Sequence, residues 1–153
     1  MSALDQALWQ LVLDGREAVL ATVRPDGRPQ LTNVLYVVDT ETRTVRISTT
    51  ASRAKARNLS RDPRAALHVA GDNFWAYAVA EGQATLSAVA ATPGDSACRE
   101  LLSVHTSFYG ELEPDSFYQE MIANKRLVIR VRLERVYGVI SPGGRRPQPA
   151  DEL

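Results

Sequence analysis

The sequence predicts a mainly β protein, an antiparallel barrel with helices at its periphery. Six or more runs of residues are rich in β-branched and aromatic side chains or alternate between apolar and polar, and short turns join most of them. The predicted helices do not alternate regularly with the strands, and two of these helices come late in the chain. This arrangement favours an antiparallel barrel over a parallel sheet built from βαβ units.

The first element is a helix over 3–13, whose apolar residues recur every three to four positions before Asp14-Gly15 ends it. Strands follow at 18–23, 28–38, 43–49, 64–70, 75–86, 127–133 and 135–140. Pro25-Asp26-Gly27 turns the first strand into the second, and Glu81-Gly82 predicts a bulge or a sharp bend in the fifth. Further helices are predicted at 52–60, 93–110 and 114–126. A single domain over 3–140 is therefore expected, with a mobile tail over 141–153 that is rich in Gly and Pro.

Composition limits the classes of function. The 153 residues suffice for one domain, and the formal net charge is zero. A neutral chain has no general affinity for nucleic acid or anionic membranes, and no apolar run approaches the roughly 20 residues of a membrane helix. Cys98 is the only cysteine, and no signal peptide is recognisable, so a cytoplasmic protein is expected. We expect Cys98 to pack within a helix.

The basic helix over 52–60 is the most informative segment. Ser52 is a candidate N-cap, and the first turn and a half carries Arg53, Lys55 and Arg57 without an acidic residue. Because a helix N-terminus is already partly positive, these cations are unfavourable there unless an anion is bound. Phosphate is the usual anion at such a place. From these residues alone, a phosphate site and a solvated basic face both remain open.

The order of several motifs resembles the split β-barrel flavin reductases related to pyridoxamine 5′-phosphate oxidase. The motifs are Ala18-Val19-Leu20-Ala21-Thr22-Val23 with Pro25-Asp26-Gly27, Ser52-Arg53-x-Lys55-x-x-Asn58-Leu59, Arg61-Asp62-Pro63-Arg64, Tyr77-x-Val79 with Glu81-Gly82, and Arg135-Val136-Tyr137-Gly138. Within that family the chain is most similar to the actinobacterial branch that uses the deazaflavin coenzyme F420. The resemblance implies a six-stranded antiparallel split β-barrel of the FMN-binding type, a homodimer, and an F420-dependent reductase of unsaturated or conjugated small molecules.

The resemblance also implies roles for individual residues. Ser48, Arg53 and Lys55 would contact the cofactor phosphate, with Arg57 and Asn58 as weaker candidates. Pro29, Gln30 and Asn33 would lie against the deazaflavin ring. Trp75 and Tyr77, expected on one face of a strand, would reach the partner subunit's site or pack in the core or dimer interface. Because F420 carries several negative charges beyond its phosphate, Arg57, Lys125 and Arg126 are expected to meet them, the last two at the end of a helix.

Other interpretations stay open at this stage. FMN is the alternative cofactor, and a carrier of deazaflavin or tetrapyrrole without efficient turnover is the alternative function. The chain ends without the Arg- and Trp-rich tail of the true oxidases, which argues against vitamin B6 oxidation. His105 either lines the mouth of a substrate site or packs as a structural residue, whereas a structural role is favoured for His68. Water, Tyr77 and Lys55 are all candidate proton donors, and no metal site is expected.

Overall fold

A computed structural model describes residues 1–141. Its helices are α1 (Ala3–Asp14), α2 (Ala54–Arg61), α3 (Ser96–Tyr109) and α4 (Pro114–Ala123). Its strands are β1 (Glu17–Val23), β2 (Pro29–Leu35), β3 (Val37–Asp39), β4 (Thr44–Thr50), β5 (Arg64–Ala70), β6 (Tyr77–Leu86) and β7 (Arg126–Val139). The predicted mobile tail lies outside the described residues except for Ser141, whose backbone oxygen accepts a hydrogen bond from Asn73 Nδ2 at 2.8 Å.

The strands form one antiparallel sheet in the order β2-β1-β5-β6-β7-β4-β3. The two edge strands, β2 and β3, are consecutive in the chain and are separated only by Tyr36. The sheet therefore curls, since one bent segment contributes to both of its edges. When β2 and β3 are counted as the single strand predicted over 28–38, the sheet has the six strands that the family resemblance implies. The mainly β, antiparallel split-barrel prediction is confirmed.

The bend at Tyr36 is held from several directions. Its side chain is fully buried, and Tyr36 Oη donates a hydrogen bond to the Val12 carbonyl oxygen at 2.6 Å. The Tyr36 backbone N–H donates to the Arg16 oxygen at 2.8 Å. Burial, with a smaller contribution from the charge of Asp14, raises the pKa of the Tyr36 hydroxyl, so the hydroxyl remains a donor. The bend is therefore fixed to the C-terminal end of α1.

Two hydrophobic clusters support the sheet. The larger fills the barrel and includes Leu8, Trp9 and Val12 of α1, together with Leu20 and Ile47 of the sheet. The smaller lies between α3, α4 and Val128 of β7, and it contains the buried Cys98, as predicted. None of the helices in residues 1–141 is both long enough and apolar enough to cross a membrane.

Helix α3 is attached to the sheet by polar contacts as well. Asp95 is its N-cap, and its carboxylate accepts hydrogen bonds from the backbone N–H groups of Thr92, Cys98 and Ala91. These bonds hold the pKa of Asp95 well below its usual range. Further along α3, Glu100 accepts two hydrogen bonds from the Arg130 guanidinium of β7, at 2.8 and 2.5 Å. One side of α3 is thereby fixed against the sheet.

Some predicted boundaries were wrong. Helix α2 begins at Ala54 with Arg53 as its N-cap, not Ser52, because the Arg53 N–H donates to the Thr50 oxygen and places Ser52 within a turn. Trp75 lies in the turn before β6, not on the strand, because its N–H donates to Asn73 Oδ1.

The end of α4 and the start of the last strand also differ from the prediction. Helix α4 ends at Ala123, because Lys125 has a left-handed φ of 51°. Arg126 therefore begins β7 and does not close the helix.

The last two predicted strands form one continuous strand, β7. The predicted irregularity at Glu81-Gly82 is present: Glu81 pairs with Arg135 and Gly82 with Leu133. Glu134 is therefore the extra residue of a bulge on β7. A β-carbon at position 82 would collide with the Arg132 backbone, so glycine is required opposite this bulge.

Replacing Tyr36 by Phe should lower the free energy of unfolding by about 1 kcal/mol, because the buried hydroxyl loses its bond to Val12 while the packing of the ring is kept. Urea denaturation followed by circular dichroism measures the change. Tyr137→Phe is the matched control, since this half-buried tyrosine makes no hydrogen bond through its side chain in the described residues. Equal losses in the two variants would contradict the role given to the Tyr36 hydroxyl.

Candidate functional site

A cavity of about 480 Å³ opens between the β2 edge, the junction of β4 with α2, and the helices α3 and α4. From the strands and α2 it is lined by Asn33, Val34, Leu35, Ile47, Ser48, Thr49, Thr50, Arg53, Lys55 and Arg126. From the two late helices it is lined by Leu101, Val104, His105, Phe108, Tyr109, Phe117, Glu120, Met121 and Asn124. The bend at Tyr36 closes the sheet and brings the β2 edge next to the junction of β4 with α2, so that both line the cavity.

A cation cluster, defined as Arg53, Lys55 and Arg126, forms one end of the cavity. Arg126 donates to Ser48 Oγ through Nε at 3.1 Å and through Nη2 at 2.8 Å, which holds the guanidinium against β4. Pairing of Thr50 with Arg126 in the β4–β7 ladder brings these two strands to the start of α2. None of the ion pairs within residues 1–141 includes a member of the cluster.

Lys55 and Arg126 are partly withdrawn from water, Arg53 is exposed, and the three cations repel one another. Burial lowers the pKa of Lys55, and the charges of Arg53 and Arg126 lower it further. Burial likewise lowers the pKa of Arg126, while the carboxylate of Glu120 acts in the opposite direction. Within residues 1–141 none of these three cations forms an ion pair, and positive charge of this density favours an anion as its ligand.

The start of α2 adds to the positive potential. Its N-cap, Arg53, makes no side-chain hydrogen bond to the helix, and its first turn contains no acidic residue. The N–H groups of that turn therefore have no side-chain cap, and they lie at the same end of the cavity as the Arg53 and Lys55 side chains. The arrangement agrees with the phosphate interpretation of the basic helix.

The lining that α3 and α4 contribute is mostly apolar and aromatic. Leu101, Val104, His105 and Phe108 of α3 recur at helical spacing, and Phe117 and Met121 lie on one face of α4. The His105 ring is 4.7 Å from that of Tyr109 and 4.9 Å from that of Phe117, measured between centroids. We call these lining residues of the two helices the α3–α4 wall.

Five of the predicted site residues line this cavity: Asn33, Ser48, Arg53, Lys55 and Arg126. Pro29 and Gln30 lie on β2 but do not line it. Arg57 and Lys125 are exposed, on α2 and in the turn before β7. Asn58 is buried, and its Nδ2 donates to Thr22 Oγ1 at 3.0 Å, which joins α2 to β1.

The two aromatic candidates lie elsewhere on the chain. Tyr77 stacks on His68 with centroids 5.2 Å apart, on the face of β5 and β6 away from the barrel core. Trp75 lies in the turn that precedes β6. Neither lines the cavity of this chain.

The sequence analysis missed most of the α3–α4 wall. Phe117, Glu120, Met121 and Asn124 follow the spacing i, i+3, i+4, i+7 and thus share one helix face. That spacing could have identified the face, although not what it lines. His105 was left between two interpretations, and its side chain does line the cavity.

Comparison with known proteins agrees with this fold. Residues 4–140 match the family model described as pyridoxamine 5′-phosphate oxidase. A solved structure called F420 reductase is 28% identical, with 83% of this chain and 93% of that chain covered and a TM-score of 0.60. The conserved hypothetical protein Rv2991 from Mycobacterium tuberculosis is 27% identical, with 94% and 93% covered and a TM-score of 0.65.

A more distant neighbour shows how widely the fold is used. The heme storage protein HutZ from Vibrio cholerae is 16% identical, with 90% and 95% of the two chains covered and a TM-score of 0.63. At this identity the similarity concerns the fold alone. Because the family model spans nearly the whole described chain, the protein belongs to the pyridoxamine 5′-phosphate oxidase family.

Proposed function

We propose that the protein is an oxidoreductase that uses reduced coenzyme F420 to reduce an unsaturated or conjugated small molecule. The observation that carries the proposal is the cation cluster of Arg53, Lys55 and Arg126, which forms no ion pair within residues 1–141 and lies beside the uncapped start of α2. The similarity to an F420 reductase supports the choice of cofactor. The lone, buried Cys98 fits a cytoplasmic enzyme, because the fold requires no disulfide.

The chemistry of the cluster fits a cofactor phosphate. Arg53 and Arg126 offer planar guanidinium donors, and Lys55 offers a compact ammonium group. The Ser48 hydroxyl, already held by Arg126, supplies a neutral hydrogen-bonding group at the same end of the cavity. Pro29, Gln30 and Asn33 of β2 are proposed to line the ring of the cofactor, and among them Asn33 reaches the cavity of this chain.

When bound, reduced F420 would supply a hydride, and the protein would supply orientation and exclusion of water. The cation cluster would fix one end of the cofactor, and the α3–α4 wall would shield part of the cavity from solvent. Lys55 faces the cavity, and we propose it as a group that can hold a proton there. Its lowered pKa, caused first by burial, makes it a better proton donor than an exposed lysine.

The exposed cations have a separate proposed role. Arg126 belongs to the phosphate cluster, so Arg57 and Lys125 are the candidates for the acidic tail of F420. FMN has a single phosphate and would leave these two side chains unused. FMN remains the alternative cofactor, and a carrier of deazaflavin or tetrapyrrole remains the alternative function.

A homodimer is the proposed assembly. Leu31 and Leu35 are 63% and 43% exposed, and they lie with Asn33 on one face of the edge strand β2. Val19 and His68 continue this face across β1 and β5, since Asn33 pairs with Val19 and Val19 with His68. An apolar surface of this kind beside the cavity is suited to a second copy. Trp75 and Tyr77 are proposed to reach the partner's site from there.

Replacing Lys55 by Ala should weaken F420 binding about ten- to a hundredfold, equivalent to about 1.5–3 kcal/mol for a charge-assisted hydrogen bond. Titration of F420 fluorescence measures the affinity. In the wild type, affinity should also fall with rising pH, and it should fall before an exposed lysine would lose its proton, because the pKa of Lys55 is lowered. Lys55→Ala should flatten this dependence. Arg99→Ala removes an exposed cation of α3 outside the cavity and is the control. An unchanged affinity in Lys55→Ala would place the phosphate elsewhere.

The choice of cofactor is tested by titrating the wild type with F420 and with FMN at several salt concentrations. F420 should bind more tightly, and its affinity should fall more steeply with salt, because Arg57 and Lys125 are exposed and screened. Equal or tighter binding of FMN at moderate salt would favour the flavin alternative.

A separate experiment distinguishes an enzyme from a carrier. Bound, reduced F420 is mixed with a panel of conjugated acceptors, and its reoxidation is followed. An enzyme should reoxidise F420 with turnover, whereas a carrier would show no turnover.

A dimer of this 16.8 kDa chain is expected at micromolar concentration by light scattering coupled to size exclusion. Leu31→Glu should shift the mass toward the monomer, because it places a charge in the proposed apolar interface. Leu112→Glu introduces the same charge at an exposed leucine of the loop between α3 and α4, and it should leave the mass unchanged. A monomeric wild type would contradict the proposed assembly.

A further inference from the structure

We propose that His68 makes the association of two copies of this chain depend on pH, so that the dimer dissociates as the imidazole takes up a proton. The proposal rests on the homodimer proposed above and adds to it a group whose charge changes near neutral pH. Histidine is the side chain whose ordinary pKa, about 6.5, allows such a change.

The outer sheet face is the side of β2, β1, β5 and β6 that points away from the barrel core. Directly paired residues of neighbouring strands lie on the same side of a sheet. The register therefore gives one row across the four strands, which consists of Asn33, Val19, His68 and Val79. Apolar residues two positions away in the same strands flank this row: Leu31, Leu35, Ala21, Ala66 and Ala70.

Strand β1 is apolar on both of its sides. Ala18 and Leu20 belong to the barrel core, whereas Val19 and Ala21 lie on the outer sheet face. Strands with this pattern are buried on both sides, while a strand with one side in water alternates between apolar and polar residues. The outer sheet face is nevertheless open in the single chain, where His68 itself is exposed.

A second copy of the chain is the occupant that fits this face. Glu17 begins β1, and Arg64 begins its antiparallel neighbour β5, so the two charges stand at opposite ends of the face. Both side chains are exposed. A surface with opposite charges at its two ends is complementary to a copy of itself turned end to end, which is the arrangement of a two-fold symmetric dimer.

His68 lies within the row that the second copy would cover. Its ring stacks on that of Tyr77, with centroids 5.2 Å apart and planes inclined by 10°. Within residues 1–141 His68 forms no ion pair. Covering this ring removes it from water, and burial without a charged partner disfavours the protonated form of an imidazole. Protonation therefore favours separate copies, in which the ring stays exposed.

The competing explanation is that an acid of the face stabilises the proton. Glu17 on β1 and Glu81 on β6 both lie diagonal to His68. Glu81 already forms an ion pair with Arg135 Nε of β7 at 3.2 Å, and Glu17 is exposed at the end of its strand. If either acid held the proton of His68 in the dimer, acid would tighten the association, which is the opposite sign.

The remaining titratable groups on this face do not supply a negative charge. Arg64 of β5 pairs with Asp62 at 2.7 Å. Tyr77 of β6 and Tyr137 of β7 carry hydroxyls, which are uncharged near neutral pH. Burial is therefore expected to decide the sign, and dimer affinity should be highest above the pKa of histidine and fall as the pH drops through it.

The oligomeric state and the cavity share a strand. Asn33 belongs to the row on the outer sheet face, and it also lines the cavity. A change of pH that separates the copies therefore acts at the edge of the candidate site.

Sedimentation equilibrium of the full chain at constant ionic strength measures the dimer Kd between about pH 8 and about pH 5.5. An ordinary imidazole is about nine-tenths protonated one pH unit below its pKa, and each dimer excludes two such protons. Kd should therefore rise about tenfold to a hundredfold toward the acid end. Circular dichroism should stay the same, because the separated copies remain folded.

Two variants assign the response. His68→Gln keeps a planar side chain that cannot be charged, and its Kd should be nearly independent of pH. His105→Gln is the matched control, because it removes the only other histidine of the chain and should retain the wild-type response.

A wild-type Kd that stays constant or falls toward acid overturns the proposal, and this result requires no variant. An undiminished response in His68→Gln also overturns it, as does dissociation that occurs only together with unfolding. A dimer with a constant Kd rejects the pH response alone and leaves the proposed assembly, whereas a chain that is monomeric at about pH 8 rejects both. F420 titration tests the proposed cofactor independently of these outcomes.

Discussion

The closure of the sheet at Tyr36 is the constraint on which the rest of the structure depends. A seven-stranded antiparallel ribbon with two open edges would leave β2 and β4 at separate places. Because β2 and β3 are one segment bent at a single buried residue, the edges meet and Asn33 comes to lie on the same cavity as Ser48. The hydrogen bonds from Tyr36 to Val12 and Arg16 transmit this constraint to the C-terminal end of α1 and to the segment that follows it.

Much of the fold follows from local patterns in the sequence. The alternation within the strands, the Pro25-Asp26-Gly27 turn and the bulge signal at Glu81-Gly82 were sufficient for an antiparallel barrel, because each depends on nearby residues. The errors arose where a side chain or a distant strand decides the outcome. The Asn73 side chain accepts from Trp75 N–H and keeps that residue in a turn, and pairing with Thr50 draws Arg126 into β7. Neither interaction can be inferred from the spacing of apolar residues.

The candidate site likewise contains residues that the sequence could identify and residues whose place depends on distant contacts. Arg53 and Lys55 could be identified from the sequence because their charge conflicts with the start of their own helix, which is a local property. Arg126 is distant from them in sequence, and its place in the cluster depends on the β4–β7 register. Asn58 was only a weaker candidate for the cofactor phosphate, and its buried side chain donates a hydrogen bond to Thr22, a contact that depends on how α2 packs on β1. The α3–α4 wall depends on how two helices meet a sheet, which the sequence alone does not specify.

The repulsion within the cation cluster has a consequence for how the protein responds to its surroundings. Like charges held together in a partly buried site reduce the stability of the folded chain, and an anion bound among them removes part of this cost. In the proposed function, folding and anion binding are therefore linked equilibria. The same polypeptide would then have a different melting temperature in a buffer of multivalent anions than in one of chloride, and its abundance in a cell would depend on how much of its ligand is present.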